Sequence, residues 1–321
     1  GMNNNESRNV WNGEISTKRF DSSFKLGYVN PNLPFQSLGV QLAYSSHDQN
    51  SLYGFRNYDI NQNSFFSNVV YNSIITNTQN KIKFGLNYTS DVYDEILNRR
   101  DVGRKDNSFG GFFEYSFDNF NNLNFVAGLR YDTHNNMGSF FTPRFHLRYT
   151  PLDRFTVKAS YGEGRKIANI YAENQQMFYS NRSIEIIDSG QGNSTYGLNP
   201  EKATNYGLSL DKGFNLFGGQ GNFIIDYFKT DFDDKVIIDF EYPGIVQIYN
   251  STDNKSYYQS FQAEIIYSIN RFNMTTAYKN YDVQISYNDG IKSKPLQPSE
   301  IFFLNIGSVS YTHLTLPTNT T

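Results

Sequence analysis

The feature that most restricts the fold is a two-residue alternation of apolar and polar side chains that recurs along most of the chain. The clearest run has Leu123, Phe125, Ala127, Leu129 and Tyr131 on one side, with Asn124, Gly128, Arg130 and Asp132 mostly filling the other. Phe141, Pro143, Phe145, Leu147 and Tyr149 then alternate with Thr142, Arg144, His146, Arg148 and Thr150. Phe155, Val157, Ala159 and Tyr161 follow, and the pattern returns at 38–44, 82–88 and 261–268. Successive Cβ atoms of a strand point to opposite sides, so each run makes a ribbon with one apolar and one polar face. Helical spacing does not recur, and about fifteen strand candidates can be counted, with 51–58 and 65–76 ambiguous.

Composition decides what such ribbons can build. Aromatic residues make up 17% of 321 residues, with 28 Phe and 25 Tyr, yet hydrophobic residues total only 38%. Mean hydropathy is -0.58. A soluble core of this size would draw on Leu, Val, Ile and Ala. Aromatics alternating with Asn, Ser, Thr and Asp suit a wall with lipid on one side and water on the other. No run of about 18 apolar residues exists for a transmembrane helix, which leaves a closed barrel as the way to satisfy backbone groups inside a bilayer.

The connections carry their own signal. Short ones are expected at 119–122, 151–154, 218–220 and around Asn270, and longer polar ones at 167–201, 237–255 and 288–299. From about residue 150 they alternate short and long, as periplasmic turns and extracellular loops do in outer-membrane barrels. The expected fold class is therefore all-β, an antiparallel transmembrane β-barrel of about 15 strands, incomplete relative to a larger barrel. Pro143 inside a strand removes a ladder donor, and a bulge is expected there.

Several function classes are disfavoured. The chain has no Cys, which removes disulfides, thiolate metal sites and cysteine nucleophiles. A net charge of -3 gives no footprint for nucleic acid. None of the four His residues pairs with another at metal-ligand spacing, and Asp231, Asp233 and Asp234 lack the glycine and distal Glu of a calcium loop. Neither a phosphate cradle nor a nucleophile elbow is present at the glycines, and His134 near Asp132 is the one faint acid/His candidate. No catalytic residue, metal site or cofactor is expected.

Some motifs resemble a known family. Phe141-Thr142-Pro143-Arg144, then Leu147-Arg148-Tyr149-Thr150-Pro151, then the strand from Phe155 to Arg165, resemble the barrel of TonB-dependent receptors. Leu198-Asn199-Pro200-Glu201 with Asn205-Tyr206-Gly207 looks like that family's return strand. Tyr227 to Phe232, Ile248-Tyr249-Asn250, Phe261 to Glu264, Ala277-Tyr278 and Lys294-Pro295-Leu296 continue the match in order, over roughly 107–307. The flavour is that of Bacteroidetes-type siderophore or cobalamin receptors. Ser299-Glu300 departs from the basic residue usual there.

The resemblance implies an outer-membrane receptor that captures a scarce, bulky nutrient such as a ferric siderophore or cobalamin. Uptake would be energised by TonB and the inner-membrane proton gradient. Its expected partners are outer-membrane lipid, the nutrient, and the TonB system acting through a plug domain that is missing here. The family barrel has about 22 strands, so residues 1–308 would be a barrel segment. The opening Gly1-Met2-Asn3-Asn4-Asn5 has no signal-peptide character, so the chain is expected to begin inside a longer protein. Ser310 to Thr318 is similar to a translated sequencing adapter, and 309–321 is set aside as an artefactual tail. A passive porin-like or adhesin-like barrel and a soluble β-rich carbohydrate-binding protein are the alternatives.

Two groups of site residues follow. Arg144, His146, Arg148 and Lys158 share polar-face parity and form a candidate lumen-facing basic stripe, with ordinary salt-bridge filling as its plainer reading. Arg165, Tyr171, Glu173, Tyr179 and Arg182 are candidate substrate contacts in or beside the 167–201 loop, which also carries Tyr196.

Overall fold

The alternating ribbons assemble into a single large antiparallel sheet. The computed structural model describes residues 11–187, 195–251, 253 and 255–308. The long strands are β1 (Gly13–Val29), β2 (Ser37–Tyr53), β3 (Arg56–Ile75), β4 (Asn77–Leu97), β6 (Arg104–Asp118), β7 (Leu123–His134), β8 (Gly138–Leu152) and β9 (Phe155–Lys166). After a long connection come β11 (Glu201–Leu216), β12 (Gly219–Asp233), β15 (Ser256–Ile269), β16 (Phe272–Tyr287) and β18 (Glu300–Ser308). Two short strands, β5 (Arg100–Asp101) and β17 (Gly290–Ser293), complete a 15-stranded sheet in which neighbours in sequence are neighbours in space. The expected number of strands and their antiparallel order are both found. The ambiguous stretch 51–58 straddles the β2–β3 turn at Gly54–Phe55, and 65–76 lies mostly in β3. Among the described residues β1 pairs only with β2, and β18 only with β16, so the sheet is open.

Register carries the apolar parity from strand to strand without a break. One row runs Leu26, Val40, Val69, Leu86, Gly111, Tyr131 and Phe141. Further along, Ala159, Leu208, Tyr227 and Phe261 continue the same face. This face is the exposed one: Leu86 is 55% exposed and Phe113 48%. The other face carries Asn87, Asp106, Glu114 and Asp132, all buried. Apolar outside and polar inside is the reverse of a soluble sheet, and it is the arrangement a barrel wall in lipid requires.

Around Glu114 and Asp132 the polar face pairs its charges internally. Glu114 accepts from Lys83 at 3.0 Å and is also paired with Arg144. Arg130 joins Asp132 and the Asn87 amide oxygen across three strands. Two glycines on this face make room for cross-strand rings. A Cβ on Gly85 would lie 2.7 Å from the Phe112 ring, and one on Gly207 would lie 2.6 Å from Phe228.

The expected short turns near 119–122, 151–154, 218–220 and Asn270 all lie at one end of the sheet, though tight turns at Gly54–Phe55 and 135–137 close β2–β3 and β7–β8 at the other. Phe217-Gly218 has both residues left-handed at φ 50° and 80°, which suits the twist of a two-residue hairpin. At the opposite end lie 167–200, 234–255 and 288–299. The last two are more ordered than polar loops: they contain β13 (Val236–Asp239), β14 (Ile245–Asn250) and β17.

Pro143 departs from expectation. It faces Leu129 in an unbroken β7–β8 register and makes no bulge. The β8–β9 ladder instead runs from Arg144, one residue past the proline, so the missing N–H is never needed by β9. The irregularity in β8 falls between Tyr149 and Leu152, beside Pro151.

Candidate functional site: a mouth cap and a charged inner wall

The buried apolar residues gather at the long-loop end. The connection after β9 makes a single helical turn α1 (Ile170–Glu173), a 3-10 turn (Gln175–Tyr179) and strand β10 (Ser183–Ile186). Strand β10 lies parallel to β14, which pairs antiparallel with β13, giving a separate three-stranded sheet. Ile170, Tyr171, Met177, Phe178, Leu198, Val246 and Ile248 form the cap's core, packed on Tyr53, Tyr58, Ile60 and Tyr93 of the wall. Those four wall residues have polar-face parity. The inner face of β2–β4 therefore becomes apolar where the cap docks. Strands β9 and β3 are five places apart in the sheet, roughly 24 Å at about 4.8 Å per strand. The connection thus leaves one part of the wall and covers the inner face of another.

Polar contacts fix the cap at its rim. Tyr53 Oη donates to Gln175 Oε1 at 2.6 Å, and Arg56 donates to the carbonyls of Met177 and Arg182 at 3.0 and 2.7 Å. At the centre is Glu95, 1% exposed. It accepts from Tyr58 Oη at 2.7 Å and from Tyr196 Oη, on the cap, at 2.6 Å. Arg104 closes the group: it lies 3.5 Å from Glu95, donates to Tyr196 Oη at 2.6 Å and pairs with Asp106 at 3.0 Å. Its guanidinium also sits 3.8 Å from the centroid of the Tyr93 ring. A buried carboxylate is tolerable only with such a complete set of partners.

The cap's phenols carry a pH dependence. Burial pushes Tyr171, Tyr196 and Tyr249 above the ordinary tyrosine value, and the neighbouring carboxylates Glu95 and Asp239 push the latter two further up. A raised value means that the docked cap holds protons that the undocked one releases. Docking is therefore unaffected below about pH 10 and weakens above it, by about 1.4 kcal/mol per pH unit for each phenol still protonated in the docked form. Hydrogen exchange across 168–187, compared at neutral pH and above pH 10, should show the cap opening first, ahead of the strands.

The candidate substrate contacts do not converge on one point. Tyr171 is 4% exposed inside the cap core, its ring 5.5 Å from that of Tyr196. Glu173 accepts from Lys166 at 2.7 Å on the surface. Arg182 donates to the Phe240 carbonyl at 2.6 Å, and Arg165 lies 4.7 Å from the Phe140 ring centroid. Tyr179 is exposed and forms an aromatic edge with Tyr53 at 5.3 Å and Trp11 at 6.0 Å. The sequence reading missed Glu95, Arg104, Tyr58 and Phe178. The signal was present: Tyr53, Tyr58, Ile60 and Tyr93 are apolar residues at polar parity.

The basic stripe is brought onto one face, with Arg144 opposite Gly162, His146 opposite Ser160 and Arg148 opposite Lys158. The faint acid/His pair is not joined. Asp132 is held by Arg130, while His134 Nδ1 accepts the Asn136 backbone N–H at 3.0 Å. Asp231 pairs with Lys229 and Asp234 with Lys202. Among the described residues no group of three His, Cys, Asp or Glu is placed to hold a metal.

An open, inside-out antiparallel wall with its long connections at one end defines an outer-membrane-type β-barrel. The sequence profile of the TonB dependent receptor-like beta-barrel family matches residues 1–318, and the chain belongs to that family. Among solved structures it is similar to a double mutant of the Serratia marcescens hemophore receptor HasR in complex with its hemophore HasA and heme. That match has 11% identity and a TM-score of 0.65, covering 94% of this chain and 55% of that one. It is also similar to the siderophore receptor PirA from Pseudomonas aeruginosa, at 15% identity and TM-score 0.62, covering 86% and 54%. The alcaligin outer membrane receptor FauA from Bordetella pertussis matches at 16% identity and TM-score 0.58, covering 91% and 50%. At these identities the likeness is one of fold. The chain spans about half the length of these structures. Among curated proteins no sequence matches.

Proposed function

We propose that this chain supplies the wall and mouth of an outer-membrane receptor for TonB-energised uptake of a scarce nutrient, a ferric siderophore or a comparable bulky chelate such as cobalamin. The observation that carries the reading is the inside-out wall in a chain of the TonB-dependent receptor family. The similar structures, a hemophore receptor in complex with heme, a siderophore receptor and an alcaligin receptor, favour iron-bearing ligands. The wall and loops bind and guide, and no covalent chemistry is assigned to them. Gating is assigned to a plug domain seated against the polar face, through which TonB would act. In this reading Tyr179 and Arg182 stand at the mouth rim and Arg165 and Glu173 beside it, while Tyr171 contributes by holding the cap in shape.

A passive porin-like barrel is the second reading, and one observation favours it: residues 170–178 of the connection after β9 pack onto the inner face, as a constricting loop would. Uptake assays separate the two. The complete reading frame, expressed in cells starved of iron, should accumulate a radioactive ferric siderophore only while TonB and the proton gradient are intact. The 321-residue chain alone should not. Passage of small solutes that persists without TonB and scales with concentration would overturn the receptor reading.

A further inference from the structure

The basic stripe is two different things. Arg144 and Glu114 stand two strands apart in one register row, with Gly128 between them. The Arg144 side chain lies across that glycine, its Nε 2.9 Å from where a Cβ would be, and pairs with Glu114. Two rows lower on the same face, the same spacing gives no pair. Asp118, Asn124, Arg148, Lys158, Ser209 and Asp226 follow one another across six strands. Here the intervening positions carry side chains. Asn124 donates to Asp118 at 3.1 Å, filling the carboxylate Arg148 would have to reach, and Ser209 stands between Lys158 and Asp226. Among the described residues neither Arg148 nor Lys158 has an ion pair or a side-chain hydrogen bond.

Two cations directly opposite on adjacent strands repel one another, and both residues are exposed on the polar face. Their surroundings are donors. His146 and Ser160 form the next row on the same face, Ser209 flanks Lys158, and Asn124 flanks Arg148. Together these groups line a hollow of about 420 Å³ in the inner wall. Asp226 stands at its far rim, so the hollow carries a net charge of +1 from Arg148, Lys158 and Asp226.

We propose that this hollow is a binding subsite for an oxyanion, a carboxylate or phosphate, held between Arg148 and Lys158 with hydroxyl and amide donors around it. The proposal rests on the reading of the polar face as the lumen. It is independent of what the receptor carries. The anion comes either from a solute passing the wall or from a carboxylate side chain of a protein domain seated in the lumen. Arg148 supplies the planar fork and Lys158 the point charge that this chemistry uses.

The test is calorimetric titration of the full chain in detergent micelles, its strand content checked by circular dichroism, at constant ionic strength set by chloride. The probes are inorganic phosphate and N-acetyl-aspartate amide. Saturable binding of one or both is expected. Arg148→Gln or Lys158→Gln should weaken it by about tenfold or more, the loss of one charge-assisted contact. Asp226→Asn should tighten it, and Lys18→Gln, on the outer face, should change nothing. Tighter binding of phosphate assigns the site to solutes, and tighter binding of the aspartyl amide to a protein-borne carboxylate. No saturable heat from folded protein, or equal binding by both variants and the parent, overturns the proposal. Uptake assays do not enter, so failure here leaves the receptor reading standing, and the reverse holds as well.

Discussion

Glu95→Ala is expected to undock the mouth cap while leaving the strands of the wall paired. The carboxylate receives hydroxyls from Tyr58 on the wall and Tyr196 on the cap, and it faces the Arg104 guanidinium, whose side chain is 7% exposed. Removing it does more than delete two hydrogen bonds. Arg104 keeps Asp106, but the negative charge that balanced its burial beneath the cap is gone, and breaking a buried pair in this way costs about 3–5 kcal/mol. Stability is not shared evenly across a fold, and a connection resting on a small separate core opens locally before strands do. An increase of roughly a hundredfold in the undocked population follows from the lower end of that cost. Glu95→Gln should do less, because the amide oxygen still accepts a hydroxyl while the charge is lost. The chain offers its own probe: its single Trp, Trp11, has its ring 6.0 Å from that of Tyr179 of the cap. Undocking should shift Trp11 emission and speed hydrogen exchange through 168–187, with β6–β9 unchanged. Unaltered exchange in the cap would mean that the apolar core of Phe178, Tyr171 and Ile170 holds it without the ionic group.

The same region shows where sequence reading stops. The wall was legible because a strand's periodicity is local: Phe125, Leu129 and Tyr131 declare their face whatever they pair with. The turns at 119–122, 151–154 and 218–220 were legible for the same reason, while Gly54–Phe55 was hidden inside an ambiguous stretch. The cap was not, since its docking surface is assembled from Tyr53, Tyr58 and Tyr93, separated in sequence from Phe178 by more than 80 residues. The polar residues of 167–201 mark a long connection, and Tyr171 stands among its candidate substrate contacts. Its apolar residues, Ile170, Tyr171, Met177 and Phe178, have no regular period to announce a core. Pro143 misled for a related reason: whether a missing N–H matters depends on where the neighbouring ladder ends, and only the β8–β9 register reveals that. The four basic residues share parity in the sequence and a face in the register, but the division into a paired Arg144 and an unpaired Arg148 and Lys158 turns on Gly128, a residue on another strand.

One pair of substitutions on β4 tests which face of the wall meets lipid. Leu86 lies in the middle of the apolar row, between Val69 and Gly111, and is 55% exposed. Thr89 lies on the other face, in the row of Phe66 and Ser108, two residues before Asp91. In a bilayer, Leu86→Arg places a charge in hydrocarbon, at a cost of about 2–4 kcal/mol near the midplane. Thr89→Arg adds a cation to a watered face with a carboxylate nearby, and should stay within about 0.5 kcal/mol. Urea unfolding of bilayer-inserted protein should therefore shift strongly for the first and hardly at all for the second. A soluble sheet predicts something else, because an exposed leucine replaced by arginine in water removes an apolar patch and costs almost nothing. Equal, small effects would put both faces in water and remove the membrane from the account. A large effect confined to Thr89→Arg would mean that lipid meets the face carrying Glu114 and Asp132, which no arrangement of those carboxylates could sustain.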